Sequence, residues 1–269
     1  MRPITEHALS DPERVQRIVD AKRSLLEAGV EYAFGAWVDT HGRPKAKFVP
    51  MEHFESLASG SEMYTTQALD GMGKLGPQAP DQAILPDLNT LTICTWDHRF
   101  VWMTGDLYWK GEPYEFCSRS ILKRNLATAA EKGFAMALGI EPEFYILREG
   151  IEGKRSEPFS SNDRDFCWAY DVESTFDSMP VLDDLRRCLD ELGWGVNSFD
   201  HEGGHSQFEF DFDYADALTM CDRFTFLRLL IKQVAKRHGA FATFMPKPFA
   251  HDFRSGAHFN MSIIDGAIR

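Results

Sequence analysis

The sequence is poor in the features that mark several large classes of protein. Its five cysteines, Cys94, Cys117, Cys167, Cys188 and Cys221, are odd in number, widely spaced and free of any Cys-x-x-Cys pair. That argues against a disulfide framework and against a zinc knuckle. Basic residues are in the minority, 29 Lys and Arg against 41 Asp and Glu, for a formal charge of -12. Such a chain has no basic stripe to track a phosphate backbone, so nucleic acid is not an expected partner. No apolar run approaches membrane-spanning length, and the N-terminus carries early acids where a signal peptide would have an apolar core. A soluble, cytoplasmic, unprocessed protein with no membrane contact is expected. Internal repeats and low-complexity tracts are also missing. What is present, 43% hydrophobic and 13% aromatic residues in a chain of 269, suffices for one large domain or two smaller ones.

Asp11-Pro12 supplies an N-cap and a proline at the first helical position, and Val15, Ile18, Val19, Leu25 and Leu26 share one face until Gly29. Two β-rich stretches follow, 32–38 and 43–49, joined by Asp39-Thr40-His41-Gly42, whose Asp and Gly suit a hairpin turn. Residues 56–90 are rich in Gly, Pro, Ser and Asp and read as long ordered loops, with strands resuming at 91–95 and 100–104. Gly111-Glu112-Pro113 punctuates the chain before a helix over 118–132, which places a boundary between domains 1–113 and 114–269. Beyond it the spacing predicts a strand over 134–147, a helix over 180–192, strands near Val196 and over 207–212, a helix over 222–238, and strands near Phe241 and Ala257. The second domain is therefore an α/β or α+β unit built on a sheet.

Three clusters carry possible chemistry. Ala135 to Ile140 is apolar throughout, as a central strand would be, and leads into Glu141-Pro142-Glu143-Phe144. In extended chain Glu141 and Glu143 share a face, and adjacent carboxylates on a buried strand end call for a neutralising cation or Arg. Taken alone, the plainer account is a strand emerging into water with solvated acids. In the segment 200–212, Phe208, Phe210 and Phe212 face one side, Glu209 and Asp211 the other, and Gly203-Gly204 would turn Glu202 back beside Glu209. A solvent-facing amphipathic strand would show the same alternation. His258, Asn260 and Ser262 share a face of a third extended run, a set suited to a mixed metal and phosphate site.

Glu141 to Phe144, His201-Glu202 with Gln207 to Glu209, Phe244-Met-Pro-Lys-Pro248 and Gly256-Ala-His258, in this order, resemble the glutamine synthetase family. Upstream, the segment 39–47 resembles the family's N-terminal β-grasp hairpin, and Leu69-Asp70-Gly71 resembles the loop whose aspartate binds the ammonium-like nucleophile. The resemblance implies an α+β chain: a β-grasp domain followed by part of the catalytic α/β domain, an antiparallel sheet with flanking helices. It implies that Glu143, Glu202 and Glu209 hold one Mg²⁺ or Mn²⁺ ion and that Glu141 and His258 help hold a second, bridging ATP phosphates. Asn260 and Ser262 would lie near those phosphates, and Asp70 would be the catalytic residue that stabilises and deprotonates the amine. The implied reaction joins glutamate to ammonia or a small amine through γ-glutamyl phosphate, in a homo-oligomeric ring. The wording around Asp200-His-Glu and Arg254-Ser-Gly-Ala-His is most similar to the type III-like, or glutamate–methylamine ligase, branch.

Two features depart from the family. Arg254 and Phe253 stand where many members carry a glycine and an asparagine that contact glutamate. Members also continue well past the position of Arg269, through arginines that hold ATP and a further metal-binding glutamate, so the catalytic domain is expected to be incomplete at its C-terminus. Two other readings stay open from sequence alone. One is a catalytically inactive homologue that binds metal or a partner subunit; the other is an unrelated metal-dependent hydrolase using the same carboxylates to activate water.

Overall fold

The computed structural model describes residues 3–66, 76, 78–150, 156–163 and 168–265. They form two compact units, Met1–Phe134 and Ala135–Arg269.

In the first unit a short helix α1 (Pro3–Leu9) precedes α2 (Pro12–Glu27). The Asp11 side chain accepts the Glu13 amide at 3.0 Å, and Gly29 takes φ +80 just beyond the helix end, a conformation that favours glycine. β1 (Tyr32–Val38) and β2 (Pro44–Pro50) pair antiparallel. Their turn is held by Asp39, whose carboxylate accepts the amides of His41 and Arg43 at 2.9 and 2.8 Å. The unit continues through α3 (Phe54–Ala58), β3 (Met63–Tyr64), β4 (Gln82–Pro86), β5 (Thr92–Ile93), β6 (Phe100–Trp109), β7 (Glu112–Pro113) and α4 (Ser118–Glu131). β6 lies parallel to β1 and antiparallel to β4, giving the order β2-β1-β6-β4-β3, with β5 and β7 on β6.

The amphipathic face of α2 explains the core. Ile18 and Leu25 meet Phe54 and Leu57 of α3, Ala33 of β1, and Val101 and Met103 of β6. Each of the larger side chains here, fully buried, contributes roughly 1.5–3 kcal/mol. A second cluster gathers Trp37, Tyr64, Ile84, Leu107, Tyr114 and Cys117. β4 and β6 approach so closely that a Cβ on Gly105 would stand 2.6 Å from Ile84 Cγ1 and 2.8 Å from the Leu85 carbonyl oxygen. Arg119 of α4 bridges Asp87 at 2.9 Å and Asp106 at 3.0 Å.

The second unit is organised on one long strand, β8 (Phe134–Arg148). After it come β9 (Glu157–Pro158), α5 (Val172–Glu191), β10 (Val196–His201), β11 (Gln207–Phe212), β12 (Ala215–Asp216), α6 (Ala217–Arg237), β13 (Phe241–Thr243) and β14 (Ala257–Asp265). The sheet runs β10-β11-β8-β12, and β9, β13 and β14 also pair with β8. Pairing of β11 with β8 runs Gln207↔Tyr145 to Glu209↔Glu143 and ends there, beside Pro142, which has no N–H to give to a ladder.

Alternation divides this sheet into an apolar face and an acidic face. Phe144 stacks on Phe210 with ring centroids 6.1 Å apart, and Ile140 and Phe212 share a small cavity with Met220 and Leu227 of α6. Leu182, Leu185 and Leu189 of α5 and Leu230, Ile231 and Val234 of α6 are buried.

The helix expected from Pro180 begins eight residues earlier. Asp171 is its N-cap, accepting the Ser174 amide at 2.7 Å, and Pro180 lies inside. The proline leaves the Phe176 carbonyl without its helical donor, and Phe176 is exposed, so water can take that place. The stretch 56–90, expected as loops, contains α3, β3 and β4. Among the described residues no helix is long and apolar enough to cross a membrane.

Candidate metal centre

Strand register assembles the acids. Asp200 on β10 lies opposite Glu209 on β11, and Glu209 lies opposite Glu143 on β8. Three carboxylates thus stand abreast on one sheet face, where directly opposed like charges are destabilising unless something neutralises them. Glu141 shares that face two residues along β8. β14 brings His258 to it, with Nδ1 3.6 Å from Glu141 Oε2 and 3.5 Å from Glu209 Oε2, and Nε2 3.8 Å from Glu143 Oε1. These distances are too long for hydrogen bonds. They lie between the separations of about 3.0 Å and about 4.2 Å that adjacent and opposite ligands at about 2.1 Å keep around one octahedral ion. One potential ligand atom each from Glu141, Glu209 and His258 lies within 4.8 Å of the others, and so do those of Asp200, Glu202 and Glu209.

The acids are held in place by backbone and by the amide side chains of Gln207 and Asn260. Glu143, only 9% exposed, accepts Gln207 Nε2 at 2.8 Å and the Gly256 amide at 2.9 Å. Gln207 is fully buried. Its Oε1 accepts the Gly204 amide at 2.9 Å and its Nε2 also donates to the Arg254 carbonyl at 3.0 Å, so it ties together the loops after β10 and before β14. A Cβ at Gly256 would meet Glu143 Oε1 at 2.7 Å and His258 Nε2 at 3.0 Å, which makes glycine necessary at that point of the cradle. Glu202 follows a buried anchor. His201 Nε2 donates to Asp163 at 3.0 Å and Nδ1 to the Trp168 carbonyl at 3.2 Å. Both ring nitrogens face acceptors, so the ring is an imidazolium paired with a carboxylate. Burial alone would lower the His201 pKa, but the Asp163 hydrogen bond and charge outweigh it and leave it raised. Burial alone would raise Asp163, and the hydrogen bonds from His201 and Ser174 bring it below its usual range.

The acidic face carries charge that the protein itself does not balance. Burial, with the carboxylates of Glu202, Glu143, Asp211 and Glu141, pushes Glu209 up to about 7. Burial with Glu202 and Asp211 pushes Asp200 up to about 6. Glu209 Oε2 is a buried oxygen with no hydrogen-bond donor. An orphaned buried oxygen amid hard oxygen donors and one imidazole is what a divalent cation such as Mg²⁺ or Mn²⁺ would satisfy, and the residues present fit one.

Asn260 Nδ2 donates to Glu141 Oε1 at 2.6 Å. Asn260, Ser262 and Glu141 border a cavity of about 480 Å³ with Asn197, Asp211 and Tyr214. A larger cavity, about 750 Å³, lined by Leu147, Phe241, Met245, Phe249 and His205 among others, shares none of these carboxylates. The structure therefore brings Glu141, Glu143, Glu202, Glu209, His258 and Asn260 together around one face, with Ser262 beside them. Asp70 lies outside the described residues.

A model of the glutamine synthetase catalytic domain matches residues 115–267. The chain belongs to the glutamine synthetase family. It is 33% identical over 247 residues to a glutamate–methylamine ligase of Methyloversatilis universalis, covering 92% of this chain and 55% of that protein. A glutamine synthetase of Rhizobium meliloti is 31% identical over the same length, with the same two coverages. Among solved structures, an ADP complex of GmaS superposes with a TM-score of 0.84 at 31% identity over 90% of this chain and 55% of that one. The chain spans about half the length of the curated relatives it matches.

Two residues of this glutamine synthetase-family site were not singled out from sequence. Gln207 sat inside a recognised motif, and a polar residue opening a strand with buried Phe208 and Phe210 was the available signal. Asp200 becomes part of the site only through its register opposite Glu209, which the sequence does not specify.

Proposed function

We propose that this chain carries the metal-binding half of an ATP-dependent ligase that joins the γ-carboxylate of glutamate to ammonia or a small primary amine such as methylamine. The observation that carries this reading is the row Asp200–Glu209–Glu143 flanked by Glu141 and His258, within a chain of the glutamine synthetase family. Glu143, Glu202 and Glu209 would hold one divalent cation, and Glu141 with His258 would hold another. Cations held there would supply charge neutralisation at the terminal phosphate of ATP, on which the glutamate carboxylate would attack to form γ-glutamyl phosphate with release of ADP.

The protein's own groups do the positioning. Gln207 and the Gly256 amide fix Glu143, and the buried His201–Asp163 pair fixes the strand end that presents Glu202. Asn260 and Ser262 border the cavity beside Glu141, where they would donate hydrogen bonds to phosphate oxygens. Asp70 would take the proton of the amine as its nitrogen displaces phosphate. Phe253, whose ring lies against Gly203, and Arg254 beside it replace the usual asparagine and glycine and would shape the glutamate pocket. The sheet of the first unit is read as the family's β-grasp domain; the family match starting at residue 115 supports a boundary between 113 and 114, whereas the compact units divide after Phe134 and so place α4 with the first unit. A homo-oligomeric ring and a cytoplasmic location accompany this reading by family analogy.

A second reading, a metal-binding homologue without turnover, is favoured by one observation. The His258 side chain is 58% exposed, so this part of the site is open to water, whereas phosphoryl transfer to a carboxylate needs water excluded. Phosphate release from ATP, measured with glutamate, Mg²⁺ or Mn²⁺, and ammonia, methylamine or no amine, separates the two. Amine-dependent release that Glu143→Ala abolishes supports the ligase. Absence of release from folded, metal-loaded protein supports the inactive homologue.

A further inference from the structure

We propose that Asp200 is a direct ligand of the divalent cation held by Glu202 and Glu209, in addition to the three glutamates that the family resemblance assigns to that ion. The inference rests on reading this face as a cation site and is independent of the ligation chemistry.

Register supplies the first argument. Asp200 is directly opposite Glu209, and Glu209 is directly opposite Glu143, so the three side chains leave the sheet on the same face at neighbouring positions. Distance supplies the second. An oxygen of Asp200, one of Glu202 and one of Glu209 lie within 4.8 Å of one another, near enough for small side-chain adjustments to bring all three onto one ion with bond lengths of about 2.0–2.5 Å.

Among the described residues the Asp200 carboxylate receives no hydrogen bond and no salt bridge from a side chain, and the orphaned buried oxygen beside it belongs to Glu209. The adjacent acid on the same face, Asp211, is different: it accepts a hydrogen bond from Ser198, its partner across β10 and β11. The nearby imidazolium of His201 is turned away and spends both nitrogens on Asp163 and the Trp168 carbonyl. A carboxylate that faces only other carboxylates persists where a cation accounts for it.

Mn²⁺ binding to the full chain tests this by calorimetry and by the water-proton relaxation rate of the bound ion. Asp200→Asn is expected to weaken Mn²⁺ binding at least about tenfold, the loss typical of disturbing a metal's immediate surroundings. It should also raise the relaxation enhancement per bound ion, because a water replaces the lost carboxylate. Asp211→Asn, which removes the same charge from the same face, should change affinity less than about threefold and leave the relaxation enhancement unaltered. Asp200→Glu keeps a carboxylate and should recover part of the affinity; it serves as the reference if the asparagine variant does not fold, since a non-ligand position would show no dependence on side-chain length. Equal effects of the Asp200 and Asp211 substitutions, or unchanged relaxation in Asp200→Asn, would overturn the proposal while leaving the cation site in place. Failure of the unsubstituted chain to bind Mn²⁺ would overturn both.

Discussion

Asp163→Ala should be among the most damaging single changes in the second unit. The substitution leaves the His201 imidazolium, fully buried, facing only the Trp168 carbonyl, and strips acceptors from the Ser206 amide, the Ser206 hydroxyl and the Ser174 hydroxyl. Removing one partner of a buried ion pair costs about 3–5 kcal/mol, because the surviving charge is uncompensated. With a urea m-value of roughly 2–3 kcal/mol/M for a unit of this size, the midpoint should fall by roughly 1–2.5 M. Urea unfolding followed by tryptophan fluorescence reads this through Trp168 and Trp194, which lie in the affected unit.

The dependence on pH follows from the two shifts. His201 is raised in the fold, so its contribution is complete below the unfolded value of about 6.5 and is lost as pH rises through the folded value. Asp163 is lowered, so its contribution is complete above about 3.9 and is lost as pH falls through the folded value. The gap between wild type and variant is therefore widest between about pH 4 and 6.5 and narrows above it. A midpoint change under about 0.3 M, or a gap that widens steadily with rising pH, would refute the reasoning.

Other consequences are as direct. Because Glu209 is pushed up to about 7 without a cation, protons compete with metal, and Mn²⁺ affinity should fall about tenfold per pH unit below that point; affinity flat from pH 8 to 5 would contradict it. Gly105→Ala forces a Cβ against the Leu85 carbonyl, which cannot step aside, and should cost roughly 1–3 kcal/mol; thermal melts of the variant check this. Arg119→Met removes the partner that, against the opposing effect of burial, holds Asp87 below its usual range. It should destabilise the first unit at neutral pH, with the difference from wild type shrinking as pH falls through the lowered Asp87 value, which denaturation followed from pH 7 downward would show.

The parts of the fold that were legible in the sequence are those that announce themselves locally. The Asp11-Pro12 start of α2, the Asp39 turn and the alternation of Gln207–Phe212 each depend on residues within one turn or one strand, and each lies where the local pattern puts it. β4 was hidden because Gln82–Pro86 is short, ends in proline and has buried residues on both faces, so it shows no alternation. The start of α5 was misplaced because Pro180 mimics a first helical position, while the true cap, Asp171, precedes a stretch with exposed Val172 and Phe176 that lacks an apolar face. The site divides in the same way. Glu141 and Glu143 could be paired from their spacing, and Glu202 and Glu209 from the Gly-Gly turn. The Asp200–Glu209–Glu143 row and the clamp of Gln207 on Glu143 depend on how three strands are registered, which no local pattern encodes.

If the acidic face of β8, β11 and β14 is a divalent-cation centre, it should take up Mn²⁺ through Glu209. Electron paramagnetic resonance of Mn²⁺ titrated into the chain tests it most directly, since free Mn²⁺ gives a strong six-line signal that binding suppresses. The wild-type chain should remove the free signal saturably, and Glu209→Gln, which removes the acid shared by both sets of ligands, should abolish that binding. A Glu209→Gln chain that binds Mn²⁺ as the wild type does, or a wild-type chain that leaves the free signal unchanged, would contradict it.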